Sequence, residues 1–417
     1  MDRLTPSPAP RLLKALVFAM FATFAMTTDS VGTVIPEVIR EFGLKLTAGG
    51  AFQYATMSGI GVAAIGLGFL ADRIGRKATI LLGLAAYGAA SALFAAGHSF
   101  GFFVALLFAS GLGIGIFKAG ALALIGDLSR STAEHRATMN LVEGFFGVGA
   151  IVGPAIVAAF VAGGASWKWV YLIAGALCAA LVTGTALARF PRAQAAERRA
   201  SAGEALRMLG DPAAGFFAAA LMLYVGAEAA VYVWAPTYLS GYAGPSAWLA
   251  PYAVAAFFVL RAGGRFVGVW LLARMEWSAV LVVAGAAMTA LFWVAVLGGR
   301  AAAVWALPAT GLFMSVLYPT INSTGISCFD KARHGAVAGL LLFFTCLSAV
   351  LAPLAMAALA DAWGDTRWSI ALGAAFATAL LALCAWNLAR RPFAGRLAGR
   401  DRADYAEAAV EQAGVVG

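Results

Sequence analysis

The sequence predicts an all-α polytopic membrane protein with twelve transmembrane helices, and three observations support this prediction. Hydrophobic residues make up 62% of the chain and charged residues only 12%, which excludes an ordinary soluble domain. Twelve apolar runs are long enough to cross a bilayer, which takes about 20 residues in a helix. Lysine and arginine are concentrated in alternate loops, and this asymmetry orients the spans.

The predicted spans follow one another with short connections and leave no room for a large soluble domain. The first six are 12–35, 50–71, 78–96, 102–125, 138–161 and 169–188. The last six are 213–239, 247–273, 277–297, 302–327, 335–359 and 367–388. The first run is too long for the core of a signal peptide and lacks a convincing cleavage site, so we expect it to remain as the first helix.

The positive-inside rule sets the predicted orientation. With the N-terminus in the cytoplasm, 21 lysines and arginines fall in cytoplasmic segments and five in external ones. We therefore predict that both termini are cytoplasmic and that the protein is a multi-pass protein of the inner (plasma) membrane. The formal charge of +9 belongs to these loops, so it does not indicate a nucleic-acid partner.

One charged stretch without a long apolar run divides the chain. It covers residues 190–212, which we predict to be a cytoplasmic linker. The linker separates an N-terminal six-helix half at 1–189 from a C-terminal six-helix half at 213–391. Residues 392–417 are charged and alanine-rich, and they are predicted to form a cytoplasmic tail.

The two halves are predicted to be a parallel repeat. A shift of 199 residues aligns three pairs of chemically similar residues, which are Asp29 with Glu228, His135 with His334, and Pro154 with Pro353. Single matches arise easily by chance in an alanine-rich chain. The agreement of a carboxylate pair, a histidine pair and a proline pair at one offset is harder to obtain by chance.

Five charged residues lie inside predicted spans and away from their ends: Asp29, Lys118, Glu143, Glu228 and Arg261. Facing lipid without partners, they would together cost roughly 12–18 kcal/mol, at about 2.5–3.5 kcal/mol each. We therefore expect them to face the interior of the bundle or a water-filled cavity.

Similar depth in the membrane predicts two ion pairs, Lys118 with Glu143 and Glu228 with Arg261. Asp29 is left without an obvious cation, in the polar run 27–30. Low dielectric favours the protonated form of such a carboxylate, which can then carry a proton at neutral pH. Asp29 is the first candidate for proton coupling, and Glu143 and Glu228 are further candidates. The alternative is structural, with hydroxyl groups bonding Asp29 and the two pairs only holding helices together.

The loop between the second and third spans reads Gly-Phe-Leu-Ala-Asp-Arg-Ile-Gly-Arg-Lys over residues 68–77. It resembles, through ten consecutive positions, the signature loop of the major facilitator superfamily. The resemblance implies two six-helix halves with a substrate site at the midplane between them. It also implies a role in conformational gating for Gly68, Asp72, Arg73, Gly75, Arg76 and Lys77. The alternative is a basic cytoplasmic loop of any polytopic protein.

Four short stretches resemble the fucose–proton symporter family: Gly226-Ala227-Glu228 in span 7, Gly264–Gly268 in span 8, Gly311–Ser315 with Tyr318-Pro319 in span 10, and Asn140-Leu141 at the start of span 5. The resemblance implies a monosaccharide transported with a proton.

The family resemblance also implies a carboxylate in helix 1 and another in helix 4. Asp29 matches the first, but the matching position in helix 4 carries Lys118, which reverses the charge. Glu143 takes a place where the family often has glutamine. Two interpretations stay open. Either the acid has moved to the neighbouring helix, or the substrate is anionic and Lys118 binds it.

Side chains with amide, hydroxyl, charged or aromatic groups suitable for a small polar substrate are the binding candidates. They are Gln53, Tyr54, Lys118, Asn140, Tyr224, Trp234, Arg261, Tyr318 and Asn322, with Tyr238 and Ser323 beside them. For Trp234 and Tyr238 the alternative is a belt of aromatic residues at the membrane interface.

We therefore predict a proton-coupled secondary transporter that imports a sugar-like or other small polar solute by alternating access. The first alternative is a proton-coupled efflux antiporter for metabolites or drugs, because residues 149–154 resemble the G-x-x-x-G-P motif of such antiporters. Close packing of helices at a proline bend explains this short motif equally well. A passive facilitator is the third interpretation.

Other classes fit the sequence less well. A membrane-embedded enzyme would need a nucleophile, a histidine base or metal ligands in the spans, and no histidine lies there. The internal repeat disfavours a signalling receptor. The four cysteines lack C-x-x-C spacing, which argues against a disulfide framework or a metal site. The predicted partners are a small-molecule substrate, protons and the lipid bilayer, with no cofactor, no metal, no nucleic acid and a monomeric state.

Overall fold

A computed structural model describes residues 9–67, 70–128, 132–190, 208–329 and 333–398. Most of the predicted linker, most of the tail and Gly68 lie outside these residues. The described part of the chain is built from helices and short connections, with no β-strand.

We number the helices α1 to α12 to match the twelve predicted spans. Those of the first group are α1, in two segments (Ala9–Thr28 and Val31–Phe42), α2 (Ala51–Gly66), α3 (Arg76–Ala92), α4 (Phe100–Leu128), α5 (Thr132–Ala162) and α6 (Trp169–Leu187). Those of the second group are α7 (Pro212–Leu239), α8 (Ala253–Leu272), α9 (Trp277–Leu297), α10 (Gly299–Ser327), α11 (His334–Trp363) and α12 (Arg367–Arg390).

Eleven of the described helices are long and apolar enough to cross a membrane. The predicted second span corresponds to α2, which has 16 residues. At a rise of 1.5 Å per residue α2 is about 24 Å long, which is shorter than a typical hydrocarbon core of about 30 Å. Residues 68 and 69 beyond its end lie outside the described residues. The predicted location of both termini in the cytoplasm stays a prediction.

Local sequence explains where several helices begin and end. Asp211 accepts a hydrogen bond from the backbone N–H of Ala213 at 2.8 Å, and Pro212 occupies the first turn, so α7 starts with a favourable N-cap. Gly43 ends α1 and Gly364 ends α11, at φ values of 62° and 69° that cost glycine little.

The helices pack mainly within the two groups. In the first group α4 packs on α2 and α3, and α5 packs on α1; in the second group α10 packs on α8 and α9, and α7 packs on α11 and α12. Small residues bring backbones close together: a Cβ added to Gly113 of α4 would lie 2.6 Å from the backbone nitrogen of Tyr87 in α3.

The hydrogen bonds described between the two groups lie toward one end, which carries residues 43–50, 163–168, 240–247 and 364–366. We call it the outer end, following the predicted orientation. Asp361 of α11 accepts hydrogen bonds from the backbone N–H groups of Leu46 and Thr47 at 2.9 Å and 2.8 Å, and from the Thr47 hydroxyl at 2.5 Å. These bonds close the outer end across the two groups.

Deeper contacts continue this outer closure. The Tyr54 hydroxyl donates to the carbonyl oxygen of Pro353 at 3.4 Å, and the Gln53 amide donates to the Tyr232 hydroxyl at 3.1 Å. Gly32 of α1 packs against the backbone of α7, where an added Cβ would overlap the carbonyl oxygen of Tyr232. The structure therefore describes a state in which the two groups are in contact at the outer end.

Replacing Asp361 with alanine should weaken this closure. A hydrogen bond to a charged group contributes about 1.5–3 kcal/mol. Losing the bonds that Asp361 accepts should therefore raise the fraction of molecules that are open at the outer end by at least about tenfold. We would measure distances between spin labels at Arg40 and Ala362, two exposed positions, in a cysteine-free background.

Asp365→Ala is the matched control, because the described hydrogen bond of the Asp365 carboxylate is local, from the backbone N–H of Arg367. Identical distance distributions for Asp361→Ala and Asp365→Ala would show that the carboxylate does not hold the outer end closed.

Candidate functional site

Helix α1 is interrupted at Asp29. Its first segment ends at Thr28 and its second begins at Val31, whereas the sequence predicted one continuous helix. Ser30 donates its hydroxyl proton to the carbonyl oxygen of Met26, and such side-chain bonds to the backbone compete with helical hydrogen bonding. Irregular backbone at membrane depth is tolerated where it is buried in protein or lines a cavity. The backbone N–H of Asp29 still donates to the carbonyl oxygen of Ala25 at 3.0 Å, so the interruption is short and lies at Asp29 and Ser30.

Helix α7 is irregular at the equivalent position. Glu228 is followed by a π-helical turn over Ala230–Trp234, and Glu228 is the residue that the repeat aligns with Asp29. π-helical turns are rare in proteins overall, and those that do occur are often found at functional sites. Asp29 thus lies within the interruption of α1, and Glu228 lies just before the π-helical turn of α7.

Glu228 and Arg261 form an ion pair between α7 and α8, as the sequence predicted. Their side chains are 12% and 21% exposed, so both are largely removed from solvent. The Tyr224 hydroxyl lies 3.2 Å from the carbonyl oxygen of Met314 and 3.4 Å from Glu228 Oε1. Tyr224 is fully buried, and its ring centroid is 5.6 Å from that of Tyr318.

The predicted ion pair between Lys118 and Glu143 is wrong. The Lys118 ammonium instead lies over two rings of α1, 5.9 Å from the centroid of Phe21 and 5.3 Å from that of Phe24. Glu143 is exposed, and its charge acts on Arg261 across the two groups. The physical reason is the direction of the Lys118 side chain, which lies against α1 instead of α5.

Asp29 is half-buried, accepts a hydrogen bond from the Thr28 hydroxyl at 3.0 Å, and has no ion-pair partner among the described residues. Three charged groups are near enough to act on it electrostatically, and they come from both groups of helices: Glu228, Arg261 and Lys118. The structure therefore brings together four of the five interior charges around the space between the groups. Their roles in coupling stay predictions.

The binding candidates separate into two sets. Tyr318 and Asn322 of α10 are half-buried, and Ser323 beside them is exposed. Gln53, Tyr54 and Trp234 belong to the outer closure, since the Trp234 indole N–H also donates to the carbonyl oxygen of Pro353, at 3.1 Å.

Trp234 is 1% exposed, so the alternative of an interfacial aromatic belt is wrong for this residue. Tyr238, at 3% exposed, is likewise buried within the bundle. The side chain of Asn140 lies outside the described part of the chain.

The loop between α2 and α3 connects helices of the first group. Arg76 donates from Nε to Asp127 of α4 at 3.0 Å, and both side chains are largely buried. Lys77 donates to the carbonyl oxygens of Ala186 and Ala188 at the end of α6, at 2.7 Å and 2.9 Å. Gly75 has a φ of 86°, which favours glycine.

Other members of the predicted gating loop are less informative. Arg73 is exposed, Gly68 lies outside the described residues, and so does the side chain of Asp72.

The motif over residues 149–154 has a packing explanation. Gly149 and Gly153 of α5 lie against the backbone of α1 at Ala22 and Met26, with no room for a Cβ. Close approach of α5 to the segment that precedes Asp29 thus accounts for both glycines.

Three residues that make the contacts described above were not singled out from the sequence. Asp361 lies just beyond the predicted end of span 11, and its partner Thr47 is 314 residues away, so no local signal indicates the contact. Asp127 follows a long apolar run. Its position near the end of α4 is the one feature of the sequence that could have suggested a basic partner such as Arg76. Tyr232 is turned toward Gln53 by the π-helical turn, which sequence periodicity does not reveal.

A helical membrane protein with ionisable residues between two packed groups of helices has the architecture of a secondary transporter. The sequence profile of the Major Facilitator Superfamily matches residues 16–353. The chain therefore belongs to the Major Facilitator Superfamily, whose members are transporters rather than enzymes. The predicted resemblance to this superfamily is confirmed.

Three curated relatives match different shares of the chain. The glucose/galactose transporter of Brucella abortus is 26% identical over 370 residues, which cover 84% of this chain and 87% of the relative. The L-fucose-proton symporter of Escherichia coli is 25% identical over 350 residues, covering 75% and 79%. The multidrug transporter protein MdtP of Bacillus subtilis is 31% identical over 164 residues, covering 39% of this chain and 29% of the relative.

Two solved structures share the fold. A bacterial homolog of the human lysosomal transporter Spinster has a TM-score of 0.75 at 15% identity, covering 94% of this chain and 99% of the homolog. The transporter FucP in its outward conformation has a TM-score of 0.63 at 23% identity, covering 89% and 98%. These likenesses establish the fold alone.

Proposed function

We propose that this protein is a proton-coupled secondary transporter that carries a small polar, sugar-like solute across the inner membrane by alternating access. The observation that carries the proposal is the group of interior charges between the two groups of helices. Asp29 lies in the interruption of α1, Glu228 lies just before the π-helical turn of α7, and Lys118 and Arg261 lie near them. A carboxylate that two helix groups share can bind a proton in one state and release it in another.

The relatives that cover most of the chain support a sugar-like solute. Their names specify glucose and galactose in one case and L-fucose with a proton in the other. The half-buried Tyr318 and Asn322 supply hydrogen-bonding groups of the kind that bind hydroxyls.

In this proposal residues 1–189 and 213–391 are the two moving halves, joined by a cytoplasmic linker and with both termini in the cytoplasm. The outer closure formed by Asp361, Thr47, Tyr54 and Gln53 then belongs to the state that is open toward the cytoplasm. Reopening the outer end requires breaking these bonds, which is the step that Asp361→Ala should favour. The protein acts as a monomer, with the substrate, protons and the bilayer as its partners.

An efflux antiporter for metabolites or drugs is the second candidate. One observation favours it, the 31% identity with MdtP over 164 residues. The glycines of residues 149–154 do not add to this case, because packing on α1 accounts for them.

Solute counterflow in proteoliposomes tests the proposal. The panel should contain monosaccharides, sugar acids and cationic dyes, each assayed with and without an inwardly directed proton gradient. Saturable exchange of a sugar-like solute, with accumulation under the gradient, supports the proposal. Exchange of dyes without exchange of sugar-like solutes would favour the antiporter. Exchange of a sugar-like solute that never accumulates under the gradient would indicate a passive facilitator.

A further inference from the structure

Lys118 is a cation in the middle of α4 that has no carboxylate within ion-pair distance among the described residues. Its described contacts are the faces of Phe21 and Phe24, with the ammonium nitrogen 5.9 Å and 5.3 Å from the ring centroids. Contact with aromatic rings stabilises a cation only weakly compared with the cost of a charge inside a membrane. The neighbouring cation Arg261 differs, because Glu228 neutralises it.

Lys118 faces the space between the two groups of helices. Its side chain is partly exposed, and its charge acts both on Asp29 of α1 and on Cys346 of α11, which belongs to the second group. A residue that interacts electrostatically with both groups of helices lies where a substrate would bind between the two groups. The missing counter-charge can therefore come from the solute itself.

We propose that the substrate carries a carboxylate, that Lys118 binds this carboxylate, and that one proton accompanies it on Asp29. The inference rests on the proposed function and specifies its substrate as a small polyhydroxylated acid, such as a uronic or aldonic acid. Tyr318 and Asn322 are half-buried and offer groups for the hydroxyls of such a solute. An ammonium group is a suitable anchor for a carboxylate, since hydrogen bonds between ionised partners are the strong ones.

The same arrangement couples the proton to the substrate. The charges that act on Asp29 are Glu228 of α7, Arg261 of α8 and Lys118 of α4, while Thr28 donates a hydrogen bond to it and Tyr232 lies within its electrostatic reach. When a substrate carboxylate neutralises Lys118, Asp29 loses one of its two nearby cations and binds a proton more readily. By thermodynamic reciprocity, protonation of Asp29 then strengthens binding of the substrate to the same degree.

This scheme makes a prediction about charge movement. A monoanion that moves with one proton carries no net charge, whereas a neutral sugar that moves with one proton carries one positive charge. The two substrate classes can thus be separated by electrical recordings on proteoliposomes adsorbed to a solid-supported membrane.

The test compares acids with their neutral counterparts: D-galacturonate with D-galactose, D-glucuronate with D-glucose, and D-gluconate with D-glucitol. We expect at least one acid to raise the melting temperature of the purified protein and to accumulate under a proton gradient without charge movement. Stabilisation by neutral sugars alone, or accumulation of a neutral sugar with positive charge movement, would overturn the inference. So would the absence of stabilisation by every acid.

Variants test whether Lys118 is the residue that binds the carboxylate of the acid. Lys118→Met should weaken binding of the acid by about tenfold or more, whereas Lys118→Arg, which keeps the charge, should retain most of it. The matched control is Lys168→Met. Lys168 also lies over an aromatic ring, 4.8 Å from the centroid of Phe103, but it has Glu41 at 3.7 Å and lies at the outer end.

If Lys118→Met binds the acid as tightly as the unaltered protein, the inference is wrong. Should Lys118→Met fail to fold, loss of acid binding in Lys118→Arg would overturn it equally, and retention would support it. The proposed function fails separately, when no solute accumulates under a proton gradient. In that case the melting temperatures still decide whether the protein selects a carboxylate.

Discussion

Asp29→Asn should abolish accumulation of the substrate under a proton gradient while leaving equilibrium exchange intact. Asparagine approximates the protonated acid in shape but cannot release a proton, so the two halves can still exchange with substrate bound. One pH unit corresponds to about 1.4 kcal/mol, which supports about tenfold accumulation at a coupling ratio of one proton per substrate. The variant should instead equilibrate the substrate at a ratio near one.

Both activities would be measured in the same vesicles, with and without a pH gradient. Asp365→Asn serves as the control, because it neutralises a carboxylate whose described contact is local to the loop before α12. If Asp29→Asn still concentrates the substrate, the coupling proton binds elsewhere, and Glu143 and Glu228 become the candidates to test.

Apolar length suffices to predict eleven of the described helices as spans, because the bilayer imposes a minimum length on each of them. The lysine–arginine asymmetry predicts only their orientation. The departures occur at two of the candidate coupling residues. The interruption at Asp29 and the π-helical turn after Glu228 depend on tertiary packing, and hydropathy does not reveal either of them. The repeat nevertheless aligned these two carboxylates, so the sequence located the distortions without describing them.

The two predicted ion pairs had opposite outcomes for a geometric reason. Depth along the membrane normal fixes only one coordinate, and a pair also requires neighbouring helices and matching faces. The long side chain of Arg261 reaches Glu228 from the adjoining helix. Lys118 and Glu143 were predicted to share a depth, but the Lys118 side chain lies over Phe21 and Phe24 of α1 and not toward α5. Contacts between distant segments, such as that of Asp361 with Thr47, leave no local trace in the sequence.

Neutralising either member of the Glu228–Arg261 pair should destabilise the protein by about 3–5 kcal/mol, because the remaining charge is left largely buried without its partner. Glu228→Gln and Arg261→Met are the single changes. The double variant removes both charges and should recover most of the stability. We would measure the free energy of unfolding by titration with sodium dodecyl sulfate, and transport by counterflow.

The ion pair of Arg391 with Glu276 provides the matched control. Its side chains are 60% and 43% exposed, so the same substitutions there should change stability by about 0–1 kcal/mol. Strictly additive losses in the Glu228–Arg261 double variant would contradict the pairing. If the double variant recovers stability and transport, the pair only holds α7 to α8. Recovery of stability without transport would mean that at least one of the two charges takes part in the cycle, because a structural pair can be replaced without loss of activity.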